Sequence, residues 1–191
     1  MRYFLGIFPD RESIKKIQVV KEGVQPVFDD FGIPVRWSKG DKYHLSVAFI
    51  GNDLPFYKTF FLKKRLKTFS FERFSIRFSS VKLGISRKYK ELLYLDILEG
   101  GEEMRKLFLS LTKLLSIKEE GNFILHLTLG RVSKDLTDQE FLNISRDLNI
   151  VSKKIGVRDI RFDVIDISLV KSNDGEYQLL MKLRETPSNF S

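Results

Sequence analysis

The chain has 191 residues, of which 42% are hydrophobic and 17 are phenylalanine, enough for a single compact unit spanning 1–191. It contains no cysteine, which excludes disulfides, a thiolate nucleophile and cysteine-based metal sites. The net charge of +8 favours a polyanionic partner such as RNA, although a charged surface needed only for solubility gives the same balance. The sequence shows neither a complete signal-peptide core nor a long uncharged apolar run, so we expect a cytoplasmic protein with no membrane partner.

The first half of the chain combines strand and helix patterns. Residues 2–8 alternate as in a strand, and Pro9 and Asp10 end the alternation. A helix is predicted over 11–29, because Ile17, Val20 and Val24 recur at helical spacing. The pattern then predicts strands at 35–37 and 43–50 and a helix at 54–68.

The second half repeats this alternation of element types. Strands are predicted over 71–78 and 92–98, with a basic loop at 86–90, followed by a helix at 102–118, a strand at 124–129, a helix at 138–147 and strands at 160–170 and 177–183. The sequence Asn-Asp-Gly at 173–175 predicts a hairpin, and 185–191 is expected to be a frayed tail. The order predicts an α+β fold with largely antiparallel sheets covered by helices.

The chain has only two histidines, and both precede a hydroxyl residue by two positions in a predicted strand. His44 is followed by Leu45 and Ser46, and His126 by Leu127 and Thr128. Since successive side chains in a strand alternate between faces, each strand presents an imidazole and a hydroxyl together.

Two imidazole–hydroxyl pairs that face one another suit a displacement at phosphorus. A neutral imidazole takes a proton from water, a protonated one gives a proton to the leaving oxygen, and the hydroxyls donate hydrogen bonds to phosphate oxygens. This chemistry requires no metal and no cofactor, so we expect neither. Structural or surface histidines are the alternative, and the matching local contexts argue against it.

The other common hydrolase and nucleotide-binding signatures do not fit this sequence. No His-x-x-x-His pair or carboxylate cluster accompanies either histidine, as a metal site would need. A Gly-x-Ser-x-Gly elbow, a phosphate-binding Gly-x-x-x-x-Gly-Lys loop and a dinucleotide fingerprint are also lacking in the sequence.

The two histidine segments resemble the paired motifs of the 2H phosphoesterase superfamily, and specifically its RNA 2′,3′-cyclic phosphodiesterases, also called 2′-5′ RNA ligases. The segments are HLSVAFIG at 44–51 and HLTLGR at 126–131. The flanking segments MRYF at 1–4, VRW at 35–37 and SLVKS at 168–172 resemble further landmarks of that family. The resemblance covers nearly the whole chain and implies two pseudo-symmetric lobes with an active-site cleft between them.

The resemblance also implies roles for individual residues. His44 and His126 would be the catalytic acid/base pair, with His126 activating water and His44 protonating the leaving oxygen. Ser46, Thr128 and Arg131 would bind the phosphate, although Arg131 suits an ordinary surface charge equally well. Phe49 and Tyr177 are candidates to stack on a terminal base, with Trp37 and Tyr43 as weaker ones. Core packing is the alternative role for all of these aromatic residues.

The sequence departs from the family pattern at three positions. Ser46 stands where threonine is usual, which keeps the hydroxyl but loses the β-branch that stiffens its rotamer. Ala48 stands where many relatives have a basic residue, and Leu125 where proline commonly precedes the histidine. These changes leave substrate preference and ligase competence open.

The function that the resemblance implies is hydrolysis of RNA 2′,3′-cyclic phosphate ends to 2′-phosphomonoesters, with 2′-5′ ligation as its reverse, by a monomer. Two alternatives stay open. The substrate of the same site would instead be a small cyclic nucleotide, an ADP-ribose cyclic phosphate or a 2′-5′ oligoadenylate, or the chain would be a non-catalytic module that binds a nucleotide or an RNA end.

Overall fold

The computed structural model describes residues 1–85, 90–117, 124–173 and 175–186. Its strands are β1 (Arg2–Ile7), β2 (Val35–Trp37), β3 (Leu45–Asn52), β4 (Phe74–Leu83), β5 (Leu92–Glu99), β6 (His126–Val132), β7 (Arg161–Val164), β8 (Asp166–Asn173) and β9 (Glu176–Arg184). The helices are α1 (Arg11–Asp29), α2 (Phe56–Leu66), α3 (Gly101–Leu115) and α4 (Asp138–Lys154), with short 3-10 turns at Gly40–Lys42 and Val157–Asp159.

The strands form one sheet in the order β7-β4-β5-β6-β3-β1-β8-β9, and β2 lies beside β6. The pairings among the described residues are antiparallel. The predicted α+β fold of antiparallel strands covered by helices is therefore confirmed. The two expected lobes correspond to the halves of this sheet, β7-β4-β5-β6 and β3-β1-β8-β9, which join where Leu45 pairs with Leu127.

The sheet curls until its outer strands approach one another. β7 and β8 belong to opposite halves, yet Ile165 alone separates them in the chain. Beyond β9, the Glu185 amide donates to the Ile165 carbonyl at 2.9 Å, and the Thr186 amide donates to the Phe71 carbonyl at 3.0 Å. The prediction of one strand over 160–170 is therefore wrong, because the chain passes from one half to the other at Ile165.

The helices begin with identifiable capping residues. The Asp10 side chain accepts a hydrogen bond from the Ser13 amide at 2.8 Å and starts α1, which spans the predicted range. Thr137 and Glu140 form a capping box at the start of α4. Hydrogen bonds from Lys134, and then from Thr137, lower the pKa of Glu140 to about 2, which keeps this capping carboxylate charged.

Helix α4 continues to Lys154 instead of ending at 147. The reason lies in a buried polar residue, since Ser152 is 4% exposed and its hydroxyl accepts from the Val81 amide of β4 at 2.9 Å. The same hydroxyl donates to the Leu148 carbonyl at 2.6 Å. Ser152 thus occupies a core-facing position that an apolar pattern does not identify.

Several predicted features fall partly or wholly outside the described residues. They are the basic loop at 86–90, the last residue of the helix predicted over 102–118, Asp174 of the predicted hairpin and the tail beyond 186. Among the residues that are described, no helix is long and apolar enough to cross a membrane.

Candidate active site

The two histidine segments lie side by side at the centre of the sheet. The antiparallel β3–β6 pairing sets Leu45 opposite Leu127, and both are fully buried. Continuing that register by one residue in each direction places His44 opposite Thr128 and Ser46 opposite His126. Since side chains alternate along a strand, the imidazoles and hydroxyls share the face opposite to the leucines. The two imidazole–hydroxyl pairs, which were predicted to face one another, thus lie on neighbouring strands and are brought together by one local register.

Both imidazoles are held by the same backbone hydrogen bond. The Nδ1 atom of His44 lies 2.8 Å from the Lys42 carbonyl, and that of His126 lies 2.9 Å from the Ile124 carbonyl. Because a carbonyl only accepts, each Nδ1 carries the hydrogen and donates it. In the neutral ring the lone pair is therefore on Nε2, which is the atom left to exchange a proton.

The surroundings of both histidines favour their neutral forms. Burial lowers the pKa of His44 below its ordinary value of 6.5, the hydrogen bond to Lys42 opposes this, and a charge on His126 lowers it further. Burial likewise lowers the pKa of His126, against the hydrogen bond to Ile124, and the charge of Arg131 adds to the lowering. Protonation of His126 thus disfavours protonation of His44.

Aromatic rings surround His44. Its ring centroid is 5.0 Å from that of Phe4, 5.7 Å from that of Phe8 and 5.5 Å from that of Tyr177. The Lys42 ammonium group lies 5.8 Å from the Tyr177 ring centroid and donates to the Gly175 carbonyl. Tyr177, a predicted stacking residue, therefore lies directly against a catalytic candidate, while the roles of Phe4 and Phe8 were not identified from the sequence.

The environment of His126 is more polar. Tyr94 meets its ring edge-on at a centroid distance of 5.7 Å, and burial raises the pKa of this tyrosine. Asp96 pairs with His126 in the β5–β6 register, and its carboxylate forms an ion pair with Lys82. The contact between Tyr94 and His126 was not predicted from the sequence, because a tyrosine in a strand gives no sign of which side chain it contacts.

A β-bulge on β3 places Phe49 on the face of the sheet that carries both histidines, which we call the catalytic face. Leu5 pairs with Ala48 and Gly6 with Ser46, so Val47 is an extra residue on β3. The extra residue reverses the alternation beyond it, and Phe49 then lies on the same side of the sheet as Ser46. Phe49 is 50% exposed.

A second β-bulge occurs in β6. Leu93 pairs with Gly130 and Tyr94 with Thr128, which leaves Leu129 as the extra residue. Arg131 therefore returns to the face of Thr128. Its guanidinium donates to the Glu91 carboxylate at 2.9 Å and is about half exposed. The structure thus brings together the predicted residues of both motifs, including the arginine.

Trp37 and Tyr43 do not join this face. Tyr43 is 1% exposed, and burial raises its pKa to about 12. Trp37 packs edge-on against the buried Phe28 at a centroid distance of 6.1 Å. Tyr43 therefore belongs to the core, and the partly buried Trp37 packs against the core, so both have the core-packing role that was the alternative to stacking. Within the described ranges, no three His, Asp or Glu side chains gather in the manner of a metal site.

A curled antiparallel sheet whose two central strands each present a histidine and a hydroxyl is the architecture expected of 2H phosphoesterases. Comparison with solved structures agrees. E. coli LigT complexed with ATP superposes with a TM-score of 0.68 at 16% identity, covering 97% of this chain and 98% of that chain. TT0787 of Thermus thermophilus gives 0.68 at 16% identity, over 96% and 97% of the two chains.

Kluyveromyces marxianus Usb1 is a more distant match, with a TM-score of 0.59 at 14% identity over 94% of this chain and 97% of that chain. These three proteins are members of the 2H phosphoesterase superfamily. No family model and no curated protein matches the sequence. The chain therefore has the 2H phosphoesterase fold, and the resemblance predicted from its motifs is confirmed at the level of that fold.

Proposed function

We propose that this protein hydrolyses RNA 2′,3′-cyclic phosphate ends to 2′-phosphomonoesters, with His44 and His126 as the acid/base pair. The observation that carries the proposal is the matched tautomer of the two rings. Each Nδ1 donates to the carbonyl two residues earlier, so each Nε2 is free for proton transfer on a face that also carries a hydroxyl.

In the proposed reaction, Nε2 of neutral His126 takes a proton from water as the oxygen attacks phosphorus. The P–O3′ bond breaks in line, and Nε2–H of protonated His44 gives its proton to the leaving O3′. The Ser46 and Thr128 hydroxyls donate hydrogen bonds to the non-bridging oxygens. The histidines then exchange protons with solvent. When a 5′-hydroxyl attacks in place of water, Nε2 of His126 takes its proton, the P–O3′ bond breaks with O3′ protonated by His44, and a 2′-5′ linkage forms.

The division of roles between the histidines follows the resemblance to 2H phosphoesterases, with His126 as the base and His44 as the acid for hydrolysis. Burial, and then the charge of Arg131, lower the pKa of His126, which keeps the proposed base neutral.

The first experiment incubates the protein, in excess EDTA, with a short RNA that ends in a 2′,3′-cyclic phosphate. The product is identified by mass and by phosphatase and nuclease mapping. We expect a 2′-phosphate from the wild type and a loss of about 10²–10⁴-fold in kcat/KM for His44→Ala and for His126→Ala. A variant that is folded by circular dichroism but inactive should regain turnover when free imidazole is added.

Three results would contradict the proposal. Full activity in both alanine variants removes the histidines from the chemistry. A 3′-phosphate product means that the P–O2′ bond breaks and not the P–O3′ bond. A wild type that binds the RNA end but never converts it, with or without added divalent cations, supports the non-catalytic binding module.

Arg131 provides a separate test of which histidine is the base. Replacing it by glutamine removes the charge that lowers the pKa of His126, so the acidic limb of the kcat/KM profile should move to higher pH. Arg36→Gln is the matched control, because Arg36 pairs with Arg131 across β2 and β6 but is exposed and is not among the groups that shift the pKa of His126. An unchanged acidic limb in the Arg131 variant contradicts the assignment.

A small nucleotide substrate is the second candidate. The observation that favours it comes from the structural neighbours, since E. coli LigT has been solved with ATP, with 3′-AMP and with NADP+. Competition between the short RNA and mononucleotide 2′,3′-cyclic phosphates separates the two. Equal kcat/KM values for both would show that the chain beyond the terminal nucleotide contributes nothing, and would favour the small substrate.

A further inference from the structure

Helix α2 presents an unusual set of exposed aromatic side chains. Phe56 is 88% exposed, Tyr57 59%, Phe60 58% and Phe61 58%. We call these four residues the α2 aromatic face. The helix is anchored from its other side, where Leu62 and Leu66 are buried. At 100° per residue, the four rings cover the arc opposite to these leucines, so they form one continuous surface instead of scattered contacts.

The charges on and beside this helix have one sign. Lys58, Lys63, Lys64 and Arg65 lie within α2, and Lys67 follows it. No acidic residue occurs between Asp53 and Glu72. A partner of this surface must therefore be negatively charged and must accept aromatic side chains.

The surface lies away from the catalytic residues. α2 packs against α3, and α3 packs against β3 and β5. Gly101, at the start of α3, lies next to Ile97, whose side chain points to the opposite face of β5 from Asp96. Since Asp96 shares the face of His126, α3 and α2 cover the other side of the sheet. A ligand held by the histidines does not reach the α2 aromatic face.

We propose that α2 docks the protein on the surface of an anionic lipid bilayer. The helix lies in the plane of the interface, with the aromatic side chains among the lipid headgroups and the flanking cations on lipid phosphates. The catalytic face then points away from the bilayer and stays open to substrate. The expectation of no membrane partner depended on the lack of a spanning segment, which peripheral docking does not need.

Two other partners fit the surface less well. Docking of α2 on α2 of a second copy would bring like charges together without an acidic residue on either helix. Single-stranded RNA stacks on separately accessible rings along a groove. Here Phe60 and Phe61 instead pack edge-on against each other, with centroids 5.8 Å apart and an interplanar angle of 79°, on a convex helix.

The experiment is vesicle flotation with the full chain. We expect binding to vesicles of equimolar phosphatidylcholine and phosphatidylglycerol, weak binding to phosphatidylcholine alone, and release by high salt. Phe60→Ser/Phe61→Ser and Lys63→Gln/Lys64→Gln should each weaken partition to the anionic vesicles by at least about tenfold. Leu142→Ser is the matched control, because Leu142 is 62% exposed on α4 and should not change partition.

Phe56→Ser tests the same surface at its most exposed ring, where a folding defect is not expected. Equal partition of wild type and α2 variants, or equal binding to neutral and anionic vesicles, overturns the proposal. So does an α2 variant that loses affinity for single-stranded RNA, or a concentration-dependent dimer that the α2 substitutions abolish.

The outcome is independent of the proposed reaction. The α2 variants should hydrolyse a short RNA at the wild-type rate, and His44→Ala should float with anionic vesicles as the wild type does. Failure of vesicle binding therefore leaves the catalytic proposal intact, and failure of catalysis leaves the docking proposal intact.

Discussion

The junction between the two halves of the sheet provides a direct test of the fold. Leu127 lies between His126 and Thr128, is fully buried, and pairs with Leu45 across β3 and β6. Leu127→Ala removes three carbon atoms from the core. Their transfer to water costs about 2–2.5 kcal/mol at roughly 0.8 kcal/mol per methylene. The cavity left in a packed interior raises the expected loss in unfolding free energy to about 3–4 kcal/mol.

The assays are urea unfolding, which gives the unfolding free energy, and thermal unfolding, which gives Tm, each followed by circular dichroism and tryptophan fluorescence. For a chain of this size the loss corresponds to a fall in Tm of roughly 10 °C. Leu142→Ala removes the same atoms from a site that is 62% exposed, and we expect it to change the free energy by less than about 0.5 kcal/mol. If Leu127→Ala costs no more than this control, β3 and β6 do not pack as described.

Adding Leu45→Ala to Leu127→Ala tests the register itself. Residues in direct contact share one cavity, so the double variant should lose less free energy than the two single variants together, by about 0.5 kcal/mol or more. Strict additivity would mean that the two leucines are not neighbours.

The remaining predictions concern the hydroxyls, pH and a helix cap. Ser46→Ala and Thr128→Ala should each lower kcat/KM by about 10–100-fold with the fold intact, since each removes a hydrogen bond to a charged group; an exposed Ser70→Ala should have no effect. Burial lowers the pKa of His44 and His126, so below about pH 6.5 the unfolded chain binds more protons and stability falls as the pH falls. Urea midpoints at about pH 7.5 and about pH 5.5, roughly one unit either side of that pKa, should therefore differ more for wild type than for a double glutamine variant of the histidines. Thr137→Ala should cost about 1 kcal/mol in unfolding free energy through loss of the capping box, and a change below about 0.3 kcal/mol in the same titration would contradict that role.

Local signals in the sequence predicted the local elements well. The range of α1 was predicted as observed, because its core residues repeat every three or four positions between a capping aspartate and a turn. The histidine–hydroxyl pairs were predicted to share a face because alternation along a strand needs no knowledge of neighbouring strands. The resemblance to 2H phosphoesterases implied a cleft between two lobes, with the two pairs facing one another. That the two strands are direct neighbours in one sheet was not predicted.

Long-range features could not be predicted in this way. The pairing of β3 with β6 and of β1 with β8 joins segments that are far apart in sequence, and no local pattern specifies such partners. Ile165 sits within a run of residues that suits one strand, yet the run divides there between the two halves. Nor do the extra residues Val47 and Leu129 differ in type from the strand residues around them, so the bulges were not predicted.

The two bulges place equivalent positions of the two halves, Phe49 and Arg131, on the same face although their side chains differ in chemistry. Phe49 and Arg131 each lie five positions after a histidine, and each returns to the catalytic face because one extra residue precedes it. The half around His44 is rich in aromatic rings, and the Arg2 guanidinium lies 5.7 Å from the Phe49 ring centroid. The half around His126 has Arg131 at the position equivalent to Phe49. We therefore expect an asymmetric ligand across a symmetric pair of imidazoles, with the nucleobase against Phe49 and the phosphate oxygens towards Arg131. Phe49→Ala should then raise KM for RNA with little change in kcat, because stacking contributes equally to the ground state and the transition state.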